Sequence, residues 1–172
     1  DAFSAKASAS CVDFNYTFAV KGDIPLSGNG TGTVKGGSFH VSGNGIDIWC
    51  DGRNRWTVDK DAREVIVESV DGAEDSYAVN PALFITDLSA SFKEVAAGSD
   101  VFRGKTYHCV KLAPKVSGSI TGLKLFFSGN DLKAAVVTLK DGMVTEFELS
   151  GVTFSDTKKA FTFDVKALDS TW

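Results

Sequence analysis

The chain is 172 residues long, 43% hydrophobic and 23% charged, with a formal net charge of -4, enough to bury a core as one globular domain spanning 1–172 without disulfide or metal staples. An acidic balance with no Lys/Arg cluster removes the electrostatic footprint of nucleic-acid binding, so no nucleic-acid partner is expected. No apolar run reaches the roughly 20 residues of a membrane-spanning helix, and the sequence opens at Asp1 with no signal-type segment, which reads as a mature or trimmed soluble product.

Residues 1–10 hold about two helical turns at most. Val12, Phe14, Tyr16, Phe18 and Val20 then alternate with Asp13, Asn15, Thr17 and Ala19, the period of a strand with one apolar face. Residues 23–29, containing Pro25, read as a connection. Strands are expected over 31–35, 39–42 and 46–50, with Asn44-Gly45 as a tight hairpin between the last two. A second tight hairpin is expected at Asp51-Gly52, followed by strands over 54–59 and 64–69, where Val65 and Val67 alternate with Glu64, Ile66 and Glu68.

Residues 77–88 break the pattern. Asn80 caps, Pro81 fits the first helical position, and Leu83, Phe84 and Leu88 fall on one side of a short helix. Strands resume over 90–95, 106–112, 123–128, 133–139 and 143–150, the last two joined by Asp141-Gly142, and 160–165 closes the pattern with Phe161 and Phe163. The total is about eleven strands, a sheet wide enough to curl.

Three cysteines, Cys11, Cys50 and Cys109, permit one bridge and a spare thiol. Alternation puts Cys11 with Asp13 and Cys109 with Lys111 on polar faces, which leaves a Cys11–Cys109 bridge open, but three buried or half-buried thiols are the favoured reading. There is no G-x-S-x-G elbow, phosphate-binding loop or H-E-x-x-H motif, and His40 and His108 stand in separate strands. His40 is expected on a solvent face, and His108, in phase with Val110 and Leu112, among apolar neighbours. No catalytic residue, metal site or cofactor is therefore assigned.

One short helix cannot cover so wide a sheet. Either the sheet closes into a barrel that packs its aromatic residues as core, or it stays open around an apolar concavity that a greasy ligand visits.

The ordered set of motifs resembles the periplasmic outer-membrane lipoprotein carrier (LolA-like) family. It comprises Gly32-Thr33-Val34-Lys35 before Phe39, Ile48-Trp49-Cys50-Asp51-Gly52 leading to Trp56, and Asn80-Pro81 opening a helix with Leu83. Val110-Lys111-Leu112-Ala113-Pro114, the Leu123/Leu125/Phe127 strand, Asp141-Gly142 and Phe161-Thr162-Phe163 follow. The resemblance implies a mainly β fold, a curved antiparallel sheet forming an incomplete, half-open β-barrel with one or two short helices plugging the concave face. It implies a monomeric carrier in the periplasm of a Gram-negative bacterium, soluble after signal-peptide removal. Such a carrier takes acylated lipoproteins or lipid from an inner-membrane transporter and passes them to an outer-membrane acceptor. The acyl-chain cavity would be built from Phe14, Tyr16, Phe18, Phe39, Trp56, Val65, Val67, Leu125, Phe127, Phe147 and Leu149, and the lid from Leu83, Phe84 and Leu88. The family's lid-latching Arg near Phe39 has no counterpart here, where Gly37-Ser38-Phe39-His40 stands instead. A non-transporting sensor or partner-binding module on the same half-barrel is the alternative function, and a closed structural barrel the alternative fold.

Overall fold

The computed structural model describes residues 10–23, 25–35, 38–69, 92–115, 118, 120–129, 131–155, 161 and 166. Eleven strands form one sheet: β1 (Cys11–Lys21), β2 (Leu26–Lys35), β3 (Ser38–Gly43), β4 (Ile46–Cys50), β5 (Asn54–Asp59), β6 (Glu64–Ser69), β7 (Phe92–Phe102), β8 (Lys105–Pro114), β9 (Ile120–Ser128), β10 (Asp131–Leu139) and β11 (Val144–Ser155). Their order across the sheet is β6-β5-β4-β3-β2-β1-β11-β10-β9-β8-β7. Both halves are meanders, and all neighbours are antiparallel. The first and last strands meet in the middle, Phe18 opposite Phe147 and Tyr16 opposite Leu149. The sheet curves but does not close. Its edges are β6 and β7, joined along the chain by residues 70–91.

Hairpin chemistry sets the register. Asn44 and Gly45 both have positive φ, 53° and 78°, the two-residue turn whose twist matches the strands it joins. Arg103 and Gly104 repeat that turn between β7 and β8, at 47° and 81°. At the β4–β5 corner the turn falls on Gly52 and Arg53, one residue later than an Asp-Gly turn would place it. Asp51 lies before it, its Oδ1 accepting hydrogen bonds from the backbone N–H groups of Arg53 and Asn54, both at 2.9 Å.

Strand β2 starts at Leu26, so most of the expected connection over 23–29 is strand. Its glycines are the reason. Gly28, Gly30 and Gly32 pair with Phe18, Tyr16 and Phe14; the Tyr16 and Phe14 rings lean over Gly30 and Gly32, and the Asn44 side chain lies over Gly28. A Cβ on Gly32 would run into the Phe14 ring, and one on Gly30 into the Ser42 carbonyl oxygen and the Tyr16 hydroxyl. Glycine thus makes room for aromatic packing across the strand, and the pairing of β2 with β1 and β3 overrides its low strand preference.

One face, the inner one, carries the main hydrophobic cluster. It runs through Val12, Phe14 and Tyr16 of β1, Val34, Phe39, Val41 and Cys50 of β2–β4, and Leu123, Leu125, Phe127, Leu132, Val137, Phe147 and Leu149 of β9–β11. A smaller cluster of Phe102, Cys109, Phe126 and Ala134 lies on the outer face. Around it Arg103 reaches Glu146 and Glu148, and Lys21 reaches Glu146. The closed-barrel alternative fails on the two edges, where Ile66, Val67, Val95 and Val101 stand exposed. The three cysteines are buried, and none is in a disulfide. A Cys11–Cys109 bridge is ruled out because β9, β10 and β11 lie between their strands. The expected helix over 77–88, with Leu83, Phe84 and Leu88, lies outside the described residues, as do residues 1–9 and, except for buried Phe161, the segment 160–165.

Candidate functional site

The inner face can be followed strand by strand, because residues directly paired in an antiparallel ladder share a face. One row runs Tyr16–Gly30–Gly43–Ile46–Asp59, the next Phe14–Gly32–Val41–Ile48–Thr57–Ile66, and a third Val12–Val34–Phe39–Cys50–Arg55–Glu68. In the first row two glycines stand between Tyr16 and Ile46. The Tyr16 hydroxyl reaches over both glycines, and a trough runs between the aromatic ladder of β1 and the isoleucines of β4.

That trough is a cavity of about 360 Å³, lined by Tyr16, Phe18, Leu26, Val41, Gly43, Asn44, Ile46, Ile48, Arg55 and Thr57. Its volume lies within the range of small-molecule sites, about 300–1,000 Å³. One wall is the aromatic stack, with Phe14 and Tyr16 ring centres 6.2 Å apart and Tyr16 and Phe18 6.4 Å apart. Phe147 backs it, 6.4 Å from both Tyr16 and Phe18. Burial holds the Tyr16 phenol above its ordinary pKa, so it stays a neutral hydroxyl. Among the described residues Arg55 is the one charged side chain in the lining. Its Nε and Nη2 donate to Glu68 Oε2 at 3.2 and 2.7 Å.

Of the residues assigned to the cavity from sequence, Phe14, Tyr16, Phe39, Leu125, Phe127, Phe147 and Leu149 are buried in the inner-face cluster and Phe18 packs against it. Tyr16 and Phe18 line the cavity itself. Trp56, Val65 and Val67 lie elsewhere. Trp56 pairs with Trp49 and Val67, and Val58 with Asp47 and Val65, all on the outer face, and Val67 is 54% exposed. The reason is parity: each turn from β3 to β6 has an even number of residues, so even positions of β4 pair with odd positions of β5. Ile46, Ile48 and Cys50 therefore share a face with Arg55 and Thr57. Leu26, Val41, Asn44, Ile46, Ile48, Arg55 and Thr57 were not assigned from sequence, although the same parity count would have found most of them.

The histidines take no part in the cavity. His40 is half-buried on the outer face, stacked on Trp49 with ring centres 3.6 Å apart and 11° between planes. His108 shares the inner face with Val110 and Leu112 but is exposed. Burial raises the thiol pKa values of Cys50 and Cys109, which keeps them protonated and unreactive. Among the described residues no group of three His, Cys, Asp or Glu side chains converges on a metal-sized site, and no helix is long and apolar enough to cross a membrane.

The sequence matches no protein-family model and no curated protein. The fold matches solved structures over nearly its whole length. A LolA superfamily protein from Nitrosomonas europaea superimposes with a TM-score of 0.50 at 14% identity, covering 94% of this chain and 96% of that one. The chain has a LolA-like fold. A DUF1329 family protein from Desulfovibrio piger superimposes with a TM-score of 0.53 at 11% identity, covering 96% of this chain and 94% of that one. At such identities the similarity fixes the LolA-like architecture alone, and the site must be argued from this chain's own residues.

Proposed function

We propose that this LolA-like protein is a periplasmic carrier that holds the acyl chains of lipoproteins in its inner-face cavity and moves them from the inner to the outer membrane. It would load from an inner-membrane transporter and discharge to an outer-membrane acceptor. The observation that carries this reading is the cavity: an apolar trough of about 360 Å³ in a sheet that does not close. A core needs no such trough, since protein interiors pack with few voids larger than a water molecule. Each methylene taken out of water is worth about 0.8 kcal/mol, so an acyl chain gains by entering the trough and cannot cross an aqueous gap unaided. Tyr16, Phe18, Leu26, Val41, Ile46 and Ile48 would contact the chain, Phe14, Phe39, Leu125, Phe127, Phe147 and Leu149 would back that wall, and Leu83, Phe84 and Leu88 would serve as lid. The protein acts by binding and not by catalysis. Release needs an acceptor with greater affinity for the same chain.

Calorimetric titration with a triacylated lipopeptide, beside the same peptide without its acyl chains, tests the proposal. Saturable, acyl-dependent binding with a negative heat-capacity change is expected. Ile48→Glu, which puts a carboxylate into the trough, should remove that binding while the far-UV spectrum remains that of the folded sheet. A folded wild-type protein that binds neither peptide would refute the carrier and favour a partner-binding module.

A further inference from the structure

The cavity has a chemically distinct end. Most of its lining residues are apolar, but on the β5 wall stand Thr57 and Arg55. The Arg55 side chain is only 16% exposed, and placing a cation there costs desolvation that a plain apolar pocket would not require. Its counter-ion, Glu68, is not part of the lining. It sits on the edge strand β6 with its side chain 45% exposed, bonded to Arg55 through a single oxygen, Oε2. Among the described residues the lining thus carries one charge, positive, beside an apolar trough, and one partner of that charge is a carboxylate that water already solvates.

We infer that the cavity also takes free amphiphiles whose apolar chain ends in an oxyanion, and holds them more tightly than uncharged chains of the same length, with Arg55 as the head-group anchor and Glu68 as the internal anion that the ligand displaces or shares. The inference rests on the reading of the trough as an acyl-chain site and names the chemistry at the chain's end. The planar fork of a guanidinium suits carboxylate and phosphate oxygens alike, so a fatty-acid carboxylate and a phospholipid phosphate present the same feature. With the ligand absent, Glu68 holds the guanidinium at the rim. With it bound, the chain lies along the glycine trough of β2 and β3 and the oxyanion meets Arg55 at the β5 wall.

The test is calorimetric titration of the whole chain with dodecanoate, dodecyl phosphate and dodecanol, all below their aggregation concentrations, at low and high salt. Wild type should bind both anions roughly ten- to hundredfold more tightly than the alcohol, the gain from a charge-assisted hydrogen bond. That margin should shrink as salt rises. Arg55→Met should bind all three ligands alike, and Glu68→Gln should bind the anions more tightly than wild type, a gain that a merely structural ion pair would not produce. The ratio between dodecanoate and dodecyl phosphate tells which oxyanion the fork prefers. Equal binding of alcohol and anions by wild type would overturn the head-group inference while leaving the acyl-chain cavity intact, and that comparison holds even if a variant fails to fold. Binding of none of the three by folded wild type would overturn the cavity reading itself.

Discussion

Glycine is the residue that shapes the candidate site. In most strands it weakens packing, yet here Gly30 and Gly32 let the Tyr16 and Phe14 rings lie across β2, and the aromatic wall of the trough depends on that overlap. The two positions differ in what a methyl group would meet. At Gly32 it is the Phe14 ring, whereas at Gly30 it is a backbone carbonyl, that of Ser42, together with the Tyr16 hydroxyl. A ring can tilt, but a carbonyl in a ladder moves only with its strand. Gly30→Ala should therefore destabilise the protein by about 1–3 kcal/mol, the usual cost of overpacking, read as a lower urea midpoint. It should also weaken acyl binding by displacing Tyr16. A variant of unchanged stability would mean that β2 and β3 are spaced more widely than this register requires.

At the scale of elements, the strands differ in how far the sequence alone discloses them. β1 is legible because Val12, Phe14, Tyr16 and Phe18 alternate with polar residues, β4 because it is a short apolar run between turn signals, and the Asn44-Gly45 turn because its dipeptide suits two successive positive φ angles. The first residues of β2 were hidden because a run of glycines reads as a loop until the rings above it are known. β7 was cut short because Ala96, Ala97, Gly98 and Ser99 on an exposed edge show no apolar period. Residues Trp56, Val65 and Val67 were grouped with the inner face because each is apolar, yet pairing parity sends them to the other side. That outer face has its own fastening. Asp47 of β4 pairs with Ser42 of β3 and meets Lys60 of the β5–β6 turn at 2.9 Å. Burial alone would raise its pKa, but hydrogen bonds from Ser42 and Lys60, with the Lys60 and His40 charges, outweigh burial and hold it below its ordinary 3.8. A carboxylate depressed in the folded state adds stability above its unfolded pKa and loses it as pH falls through the folded one. Asp47→Asn should thus be less stable than wild type at neutral pH, and the gap should close as acid takes the pH below about 4. Urea midpoints across that range provide the check, and a gap independent of pH would show that the carboxylate's charge contributes nothing.

For the whole molecule, the decisive contact is the most distant in sequence. β1 pairs with β11, Lys21 opposite Val144 and Cys11 opposite Ser155, so two meanders that each fold through local hairpins become one sheet only when the ends of the chain meet. Such non-local pairing is slow to form, since loop entropy is lost before the contacts repay it. The seam is aromatic, with Phe147 fully buried between Tyr16 and Phe18. If it couples the halves, removing its central ring should weaken both together. Phe147→Ala should cost about 3–5 kcal/mol, a large share of the roughly 5–15 kcal/mol that a domain possesses. The protein should still unfold in one transition. A Trp172→Phe background makes this visible, because Trp49 and Trp56, both in the β1–β6 half, then supply the fluorescence while circular dichroism follows all eleven strands. Coincident urea curves for wild type and Phe147→Ala would establish the seam as the joint of a single cooperative unit. Curves that separate in wild type would mean that the halves are stable apart, and the trough, whose described lining falls within the β1–β5 stretch, should then keep its ligand after the β7–β11 half has melted.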